Sequence, residues 1–239
     1  MNRRFALLAL PALFLLAAAA PPKKAAPKPA VPTRPVPPPA PLGDLVRVAL
    51  VTDLGTIELE LDHKRAPITV SNFVRYVDLG KFDGIEFYRA MRLPWGDPPN
   101  GLIQAGLQGH PLKVLKPIAH EPTSQTGILH KAGTISMARH APGTATADFS
   151  ILLSDLDALD AKPDSTDPDA QAGFAAFGRV TGGMEVVRRI WDAPLSPTKG
   201  EGPLKGQMLD PPVKIIRARR IADPPTPKPV PQAGNLKPA

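Results

Sequence analysis

Two runs of alternating residues open the most regularly patterned part of the chain. Val46, Val48 and Leu50 alternate with Arg47 and Ala49, and Ile57, Leu59 and Leu61 alternate with Glu58 and Glu60. A period of two puts each apolar set on one face of a strand. With Asp53-Leu54-Gly55 between them, the runs predict an antiparallel hairpin. The period then changes. Val70, Phe73, Val74 and Val77 fall at i, i+3, i+4 and i+7, so 67–79 reads as a helix, with Pro67 suited to its first turn and Gly80 to its stop. Short β-like runs follow at 85–90, 102–105, 133–138, 149–153 and 174–180. Residues 184–191 predict a second helix that buries Val187 and Ile190 or Trp191, and 213–221 reads as a last strand. The pattern predicts a mainly β fold: a closed antiparallel barrel of eight strands capped by two α-helices.

Both ends lack this patterning. In residues 1–20 two arginines precede an apolar run that closes in alanines, the order of a secretory signal peptide. The run from Phe5 to Ala20 is shorter than the ~20 residues a spanning helix needs. Cleavage is expected among Ala18 to Ala20, leaving no membrane span. Residues 21–43 form a Pro/Lys/Ala-rich linker with ten of the 32 prolines, and 223–239 form a Pro-rich tail with six more. Such segments cannot close a backbone ladder and favour extended polyproline II. The folded domain is therefore expected over 44–222.

Composition sharpens this picture. At 239 residues and 43% hydrophobic, the chain can build one ordinary core, and 5% aromatics predict a mostly aliphatic one. The net charge of +7 suggests nucleic acid until it is located. Eight bases and one acid lie outside 44–222 and account for all of it, so the domain is formally neutral and a nucleic-acid partner is not expected. The chain has no cysteine, which excludes disulfides, thiol catalysis and zinc-thiolate sites. His63, His110, His120 and His130 show no metal-ligand spacing and read as surface residues.

Several segments, in order, carry a resemblance. They are Phe87-Tyr88-Arg89, Gln104-Ala105-Gly106, the PIAHE run 117–121, GTISMAR from Gly133 to Arg139, and GFAAFGRVTGGMEVV from Gly173 to Val187. Together with the opening hairpin and helix, they resemble the landmarks of cyclophilins, the peptidyl-prolyl cis-trans isomerases, and in particular their bacterial secreted subgroup. The resemblance covers nearly all of 44–222 and neither end. It implies a cyclophilin-like barrel that rotates X–Pro bonds without cofactor or metal. The expected protein is a monomer, periplasmic or secreted, acting on proline-containing polypeptides and unfolded exported proteins.

Rotating an X–Pro bond breaks no bond but must cross a barrier of ~18–20 kcal/mol set by amide resonance. Twisting localises a lone pair on the prolyl nitrogen. A donor aimed there favours the twisted form over both planar ones, provided the ring is held still. The resemblance makes Arg89 that donor and Gln104 the residue that orients it and touches substrate backbone. Ala138, Arg139 and His140 match the segment that pairs with the peptide, while Leu102, Leu159 and Phe174 match apolar positions of the proline pocket.

The chain also departs from the family. Leu102 stands where methionine is frequent, and Gly101 where an aromatic is usual. Asp148 replaces a substrate-binding glutamine and adds a charge that can pair with Arg89. Ser150 replaces the phenylalanine that floors the pocket, and Ala158 stands near a rim aromatic. Burying one such aromatic is worth about 1.5–3 kcal/mol, so binding weaker by about tenfold or more is expected. A weakly active or inactive module that binds Pro-containing segments is the alternative function. Arg89 and Gln104 are 15 positions apart, about double the family's spacing, and the extra loop 93–100 carries Trp95, which is expected to fold over the pocket. The acidic stretch 161–172 reads as irregular surface.

Overall fold

The computed structural model describes residues 41–96 and 100–222. The expected signal peptide, the expected linker up to residue 40, residues 97–99 and the expected tail from 223 onward lie outside the described residues. Eight strands close an antiparallel barrel: β1 (Leu45–Thr52), β2 (Gly55–Asp62), β3 (Glu86–Arg92), β4 (Gly101–Gly106), β5 (Thr134–Met137), β6 (Phe149–Leu152), β7 (Ala175–Gly182) and β8 (Met208–Arg220). Around the barrel they run β1-β2-β7-β5-β6-β4-β3-β8. The main helices are α1 (Pro67–Asp78) and α4 (Met184–Asp192), with short turns of helix at α2 (Thr123–Thr126) and α3 (Pro168–Ala172). The hairpin pairs in uninterrupted register from Leu45↔Asp62 to Thr52↔Gly55. Its turn is closed by Thr52, whose hydroxyl donates to Gly55 O at 2.7 Å. Gly55 has φ of +131°, which a side chain rarely tolerates. The described residues take in Pro41, Leu42 and Gly43 of the expected linker. Leu42 packs on the core, and Gly43 O lies 3.1 Å from His63 Nδ1.

The barrel interior is filled by the inward positions of every strand and by one face of α1. Aliphatic side chains are the majority, as the composition predicts, but the centre is aromatic. Phe73 of α1 lies 5.0 Å from Phe82, 5.2 Å from Phe149 and 5.4 Å from Phe177, centroid to centroid. A helix that supplies this anchor needs a fixed start, yet Ala66 provides no side-chain cap. Glu121, from the PIAHE run, supplies one from 52 residues away. Its buried carboxylate accepts Thr69 N–H at 2.7 Å, Thr69 Oγ1–H at 2.7 Å and Ile68 N–H at 3.1 Å. A carboxylate there satisfies free N–H groups and meets the positive end of the helix dipole.

The second helix buries Val186, Val187 and Ile190. Trp191 is half-buried and donates through Nε1 to Met91 O at 2.8 Å. Its indole explains Gly101: a Cβ there would collide with the Met91 carbonyl and the Trp191 ring. The space beside β4 is thus taken by an aromatic from α4. The stretch 161–172 is more ordered than its composition suggests. It turns into α3, where Asp167 accepts Asp169 N–H at 2.9 Å, and Lys162 N–H bonds Ala170 O at 2.9 Å.

Candidate active site

Strands β3, β4, β6 and β5 lie side by side in the barrel. Their inward residues Phe87, Ile103, Ala105, Phe149, Ile151, Ile135 and Met137 are core. The outward positions between them build a different surface. Pairing aligns Arg89 with Gln104, Gln104 with Ser150, and Ser150 with Ser136. A polar row therefore crosses four strands. It forms the floor of a cleft of about 260 Å3, whose apolar lining comes from Met91, Leu102, Met137, Ala138, Leu159 and Phe174.

Arg89 reaches this face because β3 carries a bulge. Phe87 pairs with Ala105 and Arg89 with Gln104, leaving Tyr88 as an extra residue. Strict alternation from buried Phe87 would aim Arg89 into the barrel. The inserted residue turns Arg89 outward and returns Ala90 to the core. The guanidinium is then fixed from two sides. Nη1 donates to Gln104 Oε1 at 2.8 Å, and Nε donates to Gln207 Oε1 at 2.9 Å. Gln207 is itself held, its Nε2 donating to Pro203 O at 2.9 Å. Nη2 has no hydrogen-bond partner among the described residues. Burial lowers the Arg89 pKa from its ordinary value, but a guanidinium remains charged at any physiological pH. The cleft therefore presents a preoriented cation with unused N–H donors beside an apolar wall. Such a group can stabilise charge that develops on a bound amide without any co-reactant.

The opposite end of the row rests on a buried chain of polar groups. His130, read from sequence as a surface residue, is wholly buried. Its Nδ1 lies 2.7 Å from Asp160 Oδ1, and its Nε2 lies 2.8 Å from Ser136 Oγ. Asp160 Oδ1 also accepts the His130 backbone N–H at 3.0 Å. These contacts give the ring the partners its burial demands.

Residues 47–220 match the family described as "Cyclophilin type peptidyl-prolyl cis-trans isomerase/CLD". The chain belongs to that family. A peptidyl-prolyl cis-trans isomerase of Acinetobacter baylyi is 36% identical over 173 residues, spanning 71% of this chain and 82% of the relative. Peptidyl-prolyl cis-trans isomerase A of Dickeya dadantii is 35% identical over 147 residues, spanning 60% of this chain and 70% of the relative. Among solved structures, a cyclophilin-type isomerase of Cryptosporidium parvum superposes with a TM-score of 0.57 at 18% identity, covering 75% of this chain and 99% of its own, which shows the shared fold. A second structure of that isomerase was determined in the presence of the dipeptide Ala-Pro, with a TM-score of 0.56, 18% identity and coverage of 74% and 99%. Peptidyl-prolyl isomerisation is thus the activity of this cyclophilin-type chain.

Of the residues proposed from sequence, Arg89, Leu102, Gln104, Ala138, Arg139, Ser150, Leu159 and Phe174 come together at the cleft. Arg139 is held there by its neighbours. Its guanidinium stacks 4.7 Å over the Phe174 ring, and it donates to Gly173 O at 2.7 Å, His140 O at 2.9 Å and Asp169 Oδ1 at 2.9 Å. It braces the aromatic wall with donors already engaged. Ala138 N–H is also engaged, on Asp148 O at 2.8 Å.

Four expected residues stand outside the lining: Asp148, His140, Trp95 and Ala158. Asp148 does not pair with Arg89. Its carboxylate accepts Tyr88 Oη–H at 3.0 Å and Gln108 N–H at 3.0 Å, so the bulge residue intercepts the charge. Burial raises the pKa of Asp148, and burial together with the Asp148 charge raises that of Tyr88. His140 is exposed, its backbone tied into a turn with Thr144. Trp95 is 59% exposed at the tip of the β3–β4 connection and is absent from the cleft lining. Ala158, expected near the rim, is exposed and also stands outside the lining.

Sequence reasoning missed Met91, Ser136, Met137, Gln207 and the His130–Asp160 support. Met91 was within reach, two positions beyond Arg89 on a strand. Gln207 had no local signal, because it meets Arg89 across 118 positions.

Proposed function

We propose that this isomerase works at the Arg89–Gln104 cleft on X–Pro bonds of exported polypeptides, after a signal peptide at residues 1–20 has directed the chain out of the cytoplasm. The observation that carries the site assignment is the guanidinium fixed by two glutamines, with Nη2 unengaged, in a cleft that also presents Met91, Leu102, Leu159 and Phe174. In this reading the prolyl ring rests against Leu102, Leu159 and Phe174. The chain preceding the ring rotates. As the bond twists, the nitrogen gains a localised lone pair and Nη2–H donates to it. Gln104 receives nothing and gives up nothing in the step. It keeps the cation in line, so the donor reorganises little as charge develops. No proton, metal or electron is required.

Export is supported by the order of charge, apolar run and small residues at the N-terminus, together with the Pro-rich segment that follows. N-terminal sequencing of the mature chain from fractionated cells tests it. A periplasmic protein beginning near residue 20 is expected, and an uncut cytosolic chain overturns that part of the proposal.

The site is tested by a prolyl isomerisation assay on wild type and Arg89→Ala. Removing one preorganised donor typically costs about 10²–10³ in turnover, and that loss is expected here. Equal turnover by the two proteins overturns the assignment. Ser150 in the floor favours a second reading, a binding module with little turnover, because it removes apolar area that would grip the ring. Peptide binding by wild type without rate acceleration decides for that reading.

A further inference from the structure

The cleft floor carries more hydrogen-bonding capacity than bond rotation needs. Ser136 and Ser150 are direct cross-strand partners and both line the cleft. Opposed residues on one sheet face have Cβ atoms about 4.5–5.5 Å apart. Two hydroxyls therefore lie side by side, between walls that include Leu102, Leu159 and Phe174.

Their polarity is set from beneath. Asp160 Oδ1 already accepts the His130 backbone N–H at 3.0 Å, so it is an acceptor and the proton between it and His130 Nδ1 belongs to the ring. Burial, outweighing the pull of Asp160, pushes the His130 pKa below its ordinary value, so the ring is neutral and Nε2 is bare. Nε2 then accepts a hydrogen bond from Ser136 Oγ–H at 2.8 Å. Ser136 is left with lone pairs alone for the cleft. Ser150 has no side-chain hydrogen bond among the described residues, so its hydroxyl is free to donate.

On the isomerase reading above, we propose that this serine pair is a hydroxyl-binding subsite, selecting hydroxylated prolyl residues over plain proline. With the prolyl nitrogen at Arg89, the row runs through Gln104 to Ser150 and then Ser136. The far edge of the ring therefore lies over the serines. A ring hydroxyl donates to Ser136 Oγ and accepts from Ser150. A bare ring strips water from both and returns nothing, and sites that bury polar groups for a substrate hydroxyl discriminate strongly against the analogue lacking it.

The test uses the mature chain and peptides that differ only in the imino acid: proline, both 4-hydroxyproline epimers and both 4-fluoroproline epimers, each rate taken against its uncatalysed rate. Fluorine reproduces the electron withdrawal of the hydroxyl but cannot donate. The expected result is that one hydroxy epimer exceeds proline by about tenfold or more in kcat/KM, that its fluoro counterpart does not, and that Ser150→Ala brings the ratio to within about twofold. Equal kcat/KM for proline and both hydroxy epimers overturns the proposal. So does a fluoro epimer that matches its hydroxy counterpart. If wild type accelerates none of the peptides, the isomerase reading fails separately. Calorimetric binding of the same peptides then decides the subsite, tighter hydroxy binding supporting it and equal binding overturning it.

Discussion

The inward and outward faces of β3, β4, β6 and β5 are made from the same short strands, yet they do opposite work. Inward, Phe87, Ile103, Phe149, Ile151 and Ile135 are completely buried and hold the barrel together. Outward, Arg89, Gln104, Ser150 and Ser136 form a polar row supported from its ends by Gln207 and His130. The first face gains stability from apolar area removed from water. The second keeps polar groups at fixed spacing because the strand register beneath them cannot slip without turning the core outward. The rigidity of the site is thus borrowed from the face behind it.

The strongest challenge to this division is Phe149→Ala. The ring sits edge-on to Phe73 at 5.2 Å and to Phe87 at 6.1 Å, so its loss should cost about 3–5 kcal/mol of stability in denaturant unfolding. Activity should fall only in proportion to the protein unfolded. A loss of turnover in fully folded protein would show that the two faces are not separable.

A smaller effect is expected from Gln207→Ala, which removes one of the two anchors of Arg89 and leaves in place the backbone carbonyl that Ala90 N–H bonds. kcat should fall about tenfold with KM nearly unchanged, because the donor is still present but less well aimed. An unchanged kcat, or a lower melting temperature, removes Gln207 from the positioning role.

His130 tests the support beneath the row through pH. Its folded pKa is lowered, so on acidification the unfolded chain takes up a proton before the folded one does. Stability contributed by the neutral ring is full above the unfolded value of about 6.5 and is lost as pH falls from there toward the folded value. His130→Gln should flatten that part of the stability profile. A profile with the same slope in wild type and variant dismisses the buried neutral ring.

The smallest effect belongs to Trp95→Ala. The side chain is exposed and outside the lining, so stability should stay within about 0.5 kcal/mol and turnover should be unchanged in the same assays. A clear loss of substrate affinity would put Trp95 back at the rim.

The legible parts of this protein were those whose signal lies within a few residues. The β1–β2 hairpin, α1 and the places of the remaining strands follow from periods of two and 3.6, and Arg89 and Gln104 from short segments resembling the family. Three features of the site escaped that reading for distinct physical reasons. The bulge at Tyr88 reverses the facing of Arg89, and alternation alone points the wrong way. The role of Asp148 depended on which neighbour reached it first, and Tyr88 did. His130 is polar by type, and its burial becomes favourable only because Asp160 and Ser136 arrive from 30 and 6 positions away.

By itself, the sequence determined the barrel and its helices and the neutrality of the domain between basic ends, while the resemblance to the family singled out Arg89 as the candidate donor. Those properties are local, set by residue type and spacing. Tertiary structure alone decided that Gln207 would brace the guanidinium, that Trp191 would fill the space beside Gly101, and that two serines would meet on the cleft floor. Each depends on closure of the barrel, which brings distant strands into register, and no local pattern of apolar and polar residues encodes which distant side chain will be opposite.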